Sequence, residues 1–109
     1  MIRAAVVCAA LAAVPAVRAA DDPPSAPAGA PSVEAGRRAY TSTCARCHGI
    51  NLVSSSSAFF DLRTFPKDEK DRFIASVTNG KRQMPAWGGI VKPETIQSIW
   101  LYIGSVNGW

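Results

Sequence analysis

Cys44-Ala45-Arg46-Cys47-His48 is the most informative segment of this 109-residue chain. Two thiols three positions apart, with a histidine directly after the second, form the C-x-x-C-H pattern of covalent c-type haem attachment. One short turn of chain places a sulfur beside each porphyrin vinyl group, so that two thioethers form. The histidine then lies under the iron and supplies a proximal nitrogen ligand. The motif predicts one haem c, attached through Cys44 and Cys47, with His48 as an iron ligand.

Three other kinds of site use a similar cysteine pair. A thioredoxin-like redox pair needs a βαβ context, and the chain shows no alternation of strand and helix patterns. A zinc site needs four ligands, and once Cys8 is removed the chain offers only Cys44, Cys47 and His48 as thiol or imidazole ligands. A disulfide within the motif closes a very tight loop and leaves the histidine unexplained. Haem attachment accounts for all three residues.

Residues 1–20, MIRAAVVCAALAAVPAVRAA, have the composition of a secretory signal peptide. Arg3 precedes an apolar run, residues 4–14, that is too short to span a membrane. Small residues favour cleavage after Ala19; cleavage after Ala20 and an uncleaved amphipathic anchor are the alternatives. We therefore predict an exported, periplasmic protein, which agrees with haem attachment because thioethers form in the periplasm of bacteria.

Loss of the signal peptide changes the cysteine count and the charge. Cys8 lies inside the apolar run and is expected to leave with it. The formal net charge is +4, and removing Arg3 and Arg18 leaves +2 (4 − 2). The two haem propionates bring the mature protein close to neutrality. The chain has neither a basic run nor an interleaved aromatic stripe, so nothing in it indicates a nucleic-acid partner.

The remaining chain divides at residue 33. Residues 20–32, ADDPPSAPAGAPS, are rich in Pro, Ala and Ser without apolar periodicity, which predicts a flexible segment after a signal peptide at residues 1–19. One folded domain is expected over residues 33–109. An apolar core alone gives a domain of this size only marginal stability. A covalent haem would place large apolar faces at its centre.

The domain is predicted to be all-α, with three to four short helices. Ser32 is a suitable N-cap for a helix that runs from Val33 into Cys44. A second helix is predicted from Pro66 or Lys67 to Thr78, with Asn79-Gly80 as its stop signal. A third is predicted from Glu94 to about Ile103.

The first and last helices are expected to pack together. Gly36 and Tyr40 are four positions apart and share a face, and a glycine there lets another helix approach closely. Tyr102 can pack beside Ile99 on the last helix. The apolar stripe of that helix recurs at 3–4–3 spacing and consists of Ile96, Ile99, Trp100 and Ile103.

A serine-rich loop, Ser54 to Ser57, follows the haem motif. Aromatic and apolar side chains come next, and we expect some of them to line the haem. Ordinary core packing is the alternative for each. The residues concerned are Phe59, Phe60, Leu62 and Phe65, while Phe73, Ile74 and Val77 form the buried face of the second helix.

Met84 is the only methionine besides the initiator, and it lies in a loop that Pro85 and two glycines keep irregular. A lone methionine usually fills a gap in a core. The iron, however, needs a sixth ligand or an open position, and the chain has no second histidine. A thioether is a soft, neutral ligand that favours ferrous iron and raises its potential. We therefore predict His48 and Met84 as the two axial ligands.

The order of these features resembles a class I cytochrome c over residues 33–109. The resemblance implies a cytochrome c fold in which the N- and C-terminal helices cross beside one haem c. Gly36 with Tyr40, and Ile99 with Tyr102, would match the family's crossing pair. The haem motif near the N-terminus argues against the four-helix-bundle cytochromes, which carry it near the C-terminus.

The chain departs from that family in three places. A Gly-Pro often follows the haem motif, and its carbonyl orients the histidine ring; here Gly49 is followed by Ile50, which leaves the partner of His48 Nδ1 open. Met84 follows His48 by only 36 positions (84 − 48), which predicts a trimmed loop and an exposed haem edge. Lys92 is a poor residue for the cap of the last helix.

These features predict a single-electron carrier of a respiratory chain and not an enzyme. No acid–base residue can be placed on the distal side, and no small-molecule substrate is expected. The expected partners are redox proteins: a periplasmic dehydrogenase as donor, and a terminal oxidase or another cytochrome as acceptor, with membrane contact only through partner complexes. Basic side chains around the haem edge would guide an acidic partner, or are ordinary solvated charges. They are Arg37, Arg38, Arg46, Lys81 and Arg82.

A narrower resemblance concerns the electron donor. Three blocks, 61–65, 84–87 and 99–102, look like those of small cytochromes that accept electrons from quinoprotein (PQQ) alcohol dehydrogenases. One alternative is a haem-based sensor or a small peroxidase-like enzyme in which Met84 leaves the iron. The other is a fixed cytochrome subunit of a larger respiratory complex, with Trp109 in its contact surface.

Overall fold

The computed structural model describes residues 29–109, together with Ala10 and Ala13. These residues contain no β-strand, only an isolated bridge between Lys81 and Met84, so the predicted all-α fold is confirmed. Helices α1 to α4 are joined by a π-helical segment and by short 3₁₀ turns. The elements are α1 Val33–Ala39, the π segment Tyr40–Cys44, α2 Ala45–His48, 3₁₀ turns Ile50–Leu52 and Leu62–Thr64, α3 Lys70–Asn79 and α4 Pro93–Asn107.

The predictions for the N-terminus fall mostly outside the residues that the structure describes. Apart from two alanines, the predicted signal peptide at residues 1–19 lies outside the described residues, as do Cys8 and most of the segment 20–32. Among the residues that are described, no helix combines the length and the apolar character that crossing a bilayer requires.

Ser32 starts α1 as predicted and also ties it to α4. Its hydroxyl oxygen accepts a hydrogen bond from Ala35 N–H at 3.1 Å, as an N-cap does. The Ser32 N–H donates to Ser98 Oγ at 3.1 Å, and the Ser98 hydroxyl donates in turn to Glu94 O at 2.9 Å. Ser98 is only 2% exposed. Its buried hydroxyl therefore both donates and accepts a hydrogen bond, and it fixes the start of α1 against the first turns of α4.

The close approach of α1 and α4 depends on Gly36. A Cβ at this position would lie 1.8 Å from the carbonyl oxygen of Ser98, so the two backbones are in contact. One turn later Tyr40 packs on Tyr102, with ring centroids 5.2 Å apart. The predicted packing of the first helix on the last is confirmed.

The core forms where α4 meets the other elements. Trp100 contacts Phe73 of α3 and Phe65 of the preceding loop, at centroid distances of 5.2 and 5.9 Å. Trp109 folds back onto Trp100 at 4.6 Å. The whole predicted stripe of α4 is buried, as are Phe73 and Val77 of α3, whereas Ile74 is half-buried.

Two predicted helix boundaries were wrong. Pro66 does not begin α3; its carbonyl accepts from Glu69 N–H and closes a separate turn, and the helix begins at Lys70. The last helix continues four residues past Ile103 to Asn107, because Gly108, with φ +76°, is the first residue to adopt the left-handed conformation that ends a helix. Lys92 does occupy the N-cap of α4 without a side-chain capping bond.

Candidate functional site

The π segment and α2 present the two cysteines. Cys44 is half-buried, Cys47 is exposed, and the two are not joined in a disulfide. Burial, with a smaller effect of the neighbouring Cys47, raises the pKa of the Cys44 thiol to about 11. A redox-active pair of the thioredoxin kind needs a lowered pKa, so this environment disfavours it. Within the described part of the chain no group of three or more His, Cys, Asp or Glu side chains is placed to hold a metal ion.

The structure gives His48 a partner that the sequence left open. Its Nδ1 lies 3.0 Å from the carbonyl oxygen of Phe60, twelve residues along the chain. Because a carbonyl oxygen can only accept, Nδ1 carries the proton and Nε2 is left with its lone pair. An imidazole held in this tautomer is oriented as a metal ligand. The Phe60 carbonyl thus occupies the role expected of the missing Gly-Pro.

The turn after His48 is fixed by Tyr40 and Gly49. The Tyr40 hydroxyl donates to the Gly49 carbonyl oxygen at 2.6 Å. Gly49 adopts φ +81°, and a Cβ there would lie 1.8 Å from the Val53 carbonyl oxygen. The chain therefore reverses tightly behind the histidine, and the tyrosine that packs between α1 and α4 also holds that reversal.

Replacing Tyr40 by phenylalanine is expected to cost about 1 kcal/mol of stability at pH 7, because a buried hydrogen bond is lost. Burial raises the pKa of the Tyr40 hydroxyl above its usual value of 10.0. Its favourable contribution is therefore complete below pH 10 and falls as the pH rises further, because the unfolded chain ionises first. The stability difference between the two proteins should narrow above pH 10, as measured by urea unfolding at pH 7, 9 and 11.

Tyr102→Phe is the matched control at pH 7. The Tyr102 hydroxyl lies 3.4 Å from Asn51 Oδ1, which is a weaker hydrogen bond, so its loss should cost less. A Tyr40→Phe difference that stays constant from pH 7 to 11 would contradict the role given to Tyr40.

Met84 closes a tight turn at the end of α3. Lys81 and Met84 exchange backbone hydrogen bonds of 3.1 and 3.0 Å, and Arg82 at the corner has φ +55°. The chain then returns to α3, where Trp87 N–H donates to Val77 O at 2.9 Å and Gly88 N–H to Thr78 O at 3.1 Å. These bonds satisfy carbonyls at the helix end. The methionine loop is thus held at both of its ends.

One cavity of about 690 Å³ brings the predicted site residues together. This volume is in the range of cofactor clefts, about 300–1,000 Å³. Tyr40, Val77, Trp87, Ile99 and Ile103 also contribute to its mainly apolar wall. The two predicted attachment cysteines and the two predicted axial ligands all line it: Cys44, Cys47, His48 and Met84. So do the four side chains of which some were expected to line a haem: Phe59, Phe60, Leu62 and Phe65.

These residues fit a haem. The walls are apolar and aromatic, as the porphyrin faces require, and the two free thiols lie at the same cavity as an imidazole with an oriented ring. A thioether is also present at the cavity, on the Met84 turn. Covalent haem attachment uses two thiols, and His/Met ligation of the iron uses one imidazole nitrogen and one thioether. All of these groups are present at the cavity.

Cationic side chains at the cavity were only partly foreseen. Lys81 and Arg82 line it as expected, whereas Arg37, Arg38 and Arg46 do not. Arg72 was missed; its guanidinium carbon lies 4.6 Å from the centroid of the Phe65 ring. No local sequence motif predicts such a contact. The only signal is that Arg72 is next to Phe73 in the sequence, at the edge of the apolar face of α3.

Comparison with known proteins agrees with this geometry. The family model described as cytochrome c oxidase, cbb3-type, subunit III matches residues 31–103. A cytochrome c6 of Nostoc sp. is 37% identical over 83 residues, covering 72% of this chain and 75% of that protein. A cytochrome c6 of Microcystis aeruginosa is 31% identical and is covered over 99% of its length. The chain belongs to the class I c-type cytochromes.

The match to a longer relative covers less than a third of that protein. The cbb3-type cytochrome c oxidase subunit FixP of Azorhizobium caulinodans is 29% identical over 89 residues, which are 77% of this chain and 30% of that subunit. The cofactor is one haem c, covalently attached through Cys44 and Cys47. This cytochrome is therefore an electron-transfer protein with redox proteins as partners, and not an enzyme.

Proposed function

We propose that this cytochrome is a periplasmic single-electron carrier whose haem iron is ligated by His48 and Met84. One observation carries the proposal: His48 and Met84 face the same cavity as the two attachment cysteines. The bound haem supplies an iron that alternates between the ferric and ferrous states. The protein's part is to fix two axial ligands and to exclude other molecules from the iron.

The histidine side is held by the Phe60 carbonyl, which keeps the proton on Nδ1. That hydrogen bond also makes the imidazole a better electron donor, which is a means of tuning the metal. The methionine side is held by the Lys81–Met84 turn and by the two backbone bonds to α3. Both ligands are thus presented by restrained backbone, which favours small structural change when the iron changes its charge.

The decisive experiment is absorption spectroscopy of the purified holoprotein, oxidised and reduced, with and without carbon monoxide. A low-spin spectrum with the weak long-wavelength band of an iron–methionine bond, unchanged by carbon monoxide, is expected. High-spin iron or ready carbon monoxide binding would instead favour a haem-based sensor or a small peroxidase-like enzyme with a labile methionine.

The electron donor and acceptor are proposed from the resemblance of this chain to other cytochromes. A quinoprotein (PQQ) alcohol dehydrogenase is the proposed donor, on the blocks at 61–65, 84–87 and 99–102. A terminal oxidase or another cytochrome is the proposed acceptor, and the similarity to cbb3-type oxidase subunits supports the oxidase. Reduction of the ferric protein by a purified quinoprotein dehydrogenase with its alcohol tests the donor; a rate no faster than with free PQQ would exclude it.

The match to oxidase subunits also favours a second candidate, a cytochrome subunit held permanently in a respiratory complex. Trp109 is 42% exposed at the end of α4 and could belong to such a contact surface. Sedimentation of a native extract separates the two. A free carrier remains at the sedimentation coefficient of a small protein, and a fixed subunit moves with the complex.

A further inference from the structure

The hydrogen-bond partner of His48 is a backbone carbonyl, so its direction depends on the path of the chain at that point. The Phe60 carbonyl oxygen lies 3.0 Å from His48 Nδ1. This carbonyl belongs to the planar peptide unit that joins Phe60 to Asp61. The dihedral angles of Asp61 therefore help to decide whether the carbonyl points at the imidazole.

Asp61 is held in one conformation by the turn that it begins. It is the N-cap of the 3₁₀ turn Leu62–Thr64, with φ −77° and ψ 103°. Its Oδ1 accepts a hydrogen bond from Arg63 N–H at 3.0 Å. Its carbonyl oxygen accepts from Thr64 N–H at 3.0 Å and from the Thr64 hydroxyl at 2.8 Å. These three bonds fix the backbone of Asp61 relative to the turn.

The turn is in turn fixed to α4. The carbonyl oxygen of Leu62 accepts from Asn107 Nδ2 at 3.1 Å, and the Leu62 side chain is buried. Phe65, directly after the turn, packs on Trp100 at a centroid distance of 5.9 Å. The turn therefore has a fixed position that does not depend on the cysteine motif. Asp61 connects this fixed turn to the peptide that orients His48.

Two features of the Asp61 carboxylate could matter, its cap and its charge. Arg63 also donates to it from the guanidinium, at 3.0 Å from Nε and 2.9 Å from Nη2. Both side chains of this ion pair are substantially exposed, at 52% for Arg63 and 38% for Asp61. Exposed ion pairs contribute little to stability, whereas loss of an N-cap has a clear cost. The cap is therefore the feature that restrains the backbone.

We propose that Asp61 is a positioning residue for the iron, because its carboxylate caps the turn Leu62–Thr64 and thereby keeps the Phe60 carbonyl directed at His48 Nδ1. A firm hydrogen bond at Nδ1 makes the imidazole a stronger donor to the metal. A stronger donor favours ferric iron and lowers the reduction potential. This inference rests on the proposed ligation by His48, and it adds the residue that maintains the orientation of that ligand.

The test follows the Nδ1 proton of His48 in the ferrous holoprotein. Its exchange with solvent is measured by NMR, and the reduction potential by redox titration. Asp61→Ala should speed the exchange about fivefold, the usual effect of losing an N-cap. Asp61→Asn keeps a capping oxygen and should stay within about twofold of the wild type, since asparagine and aspartate cap equally well. Both variants remove the same charge, so the higher potential expected for Asp61→Ala isolates the cap.

Two further variants separate the cap from the ion pair. Arg63→Ala removes the guanidinium but keeps the backbone N–H that the cap uses, so the exchange should stay near the wild-type rate. Asp61→Glu keeps the charge but moves it one methylene farther from the backbone, so the exchange should become faster. Equal exchange rates for Asp61→Asn and Asp61→Ala would overturn the proposal, because the charge and not the cap would then be what matters.

Ser32→Ala is the matched control for a general loss of stability. It removes the N-cap of α1, where Ser32 Oγ accepts from Ala35 N–H at 3.1 Å, and neither residue lines the cavity. If Ser32→Ala sped the exchange as much as Asp61→Ala, the proposal would be wrong. Should Asp61→Ala fail to take up haem, Asp61→Glu takes its place in both comparisons. Axial ligation is judged on the unsubstituted protein by the carbon monoxide spectra, so failure of the proposed function is seen separately.

Discussion

Replacing Gly36 by alanine is expected to destabilise the protein by about 3 kcal/mol, at the upper end of what overpacking a core costs. The added Cβ would lie 1.8 Å from the carbonyl oxygen of Ser98 and 2.4 Å from its carbonyl carbon. Both atoms are backbone, so no rotamer change can relieve the contact. The helices α1 and α4 must move apart, and the measurement is urea unfolding of the holoprotein at pH 7.

Separation of the two helices would disturb contacts on either side of the glycine. The Ser32–Ser98 hydrogen bond precedes Gly36, and the Tyr40–Tyr102 ring contact follows it. Tyr40 also holds the turn behind His48. Gly36→Ala is therefore expected to lower the yield of haem-loaded protein as well as its stability.

Gly89→Ala is the control for that experiment. Gly89 is exposed, and a Cβ at this position has no atom within 4 Å, so the change should stay within about 0.5 kcal/mol. If Gly36→Ala lost no more stability than Gly89→Ala, the close contact of α1 with α4 would be wrong.

Much of this site is readable from the sequence because its signals are local. The cysteine pair and histidine lie within five residues, and the Ser32 cap and the Gly36–Tyr40 face each lie within one turn or so of helix. The loop methionine stands out because no second histidine competes for the iron. Signals of this kind depend only on neighbouring residues, so they can be read without knowing how the rest of the chain folds.

What the sequence does not show depends on distant segments meeting. The acceptor for His48 is a backbone carbonyl twelve residues away, and any residue type at position 60 would supply one. The π segment could not be foreseen either, since the sequence of Tyr40–Cys44 has the pattern of an ordinary helix. Sequence patterns therefore locate the ligands but not the groups that orient them.

The short chain between His48 and Met84 still builds a large part of the cavity wall. Phe65 contacts Phe60, Phe73 and Trp100 at about 6 Å in near-perpendicular arrangements, so one side chain connects the loop, α3 and α4. Aromatic contacts of this geometry add packing energy beyond the area that they bury. An exposed haem edge, which the shortened loop predicts, stays a prediction.

Replacing Met84 by alanine is expected to change the iron more than the fold. On the proposed ligation, the weak long-wavelength band should disappear, the ferric iron should become high-spin or bind water, and the ferrous iron should bind carbon monoxide. The reduction potential should fall by tenths of a volt, since axial ligands set haem potentials over a range of about 0.8 V. Absorption spectra and a redox titration measure both effects.

Gln83→Ala is the matched control, because Gln83 precedes Met84 in the same turn, lines the same cavity and carries no donor for iron in the proposal. It should leave the spectra and the carbon monoxide response unchanged. Met84→His should keep the iron six-coordinate and closed to carbon monoxide while lowering the potential, because a nitrogen ligand replaces the thioether.

A methionine that merely fills the core would behave differently from a ligand. Met84 is half-buried, and truncating a buried methionine costs about 2–5 kcal/mol through lost contacts and the cavity that remains. Such a loss lowers stability but leaves the spin state, the long-wavelength band and the carbon monoxide response as they were. Unfolding alone therefore cannot separate the two roles. If Met84→Ala lowered the stability but left the spectrum unchanged, Met84 would not be an iron ligand. If Met84→Ala changed the spectrum and Met84→His restored the low-spin form, Met84 would be the ligand.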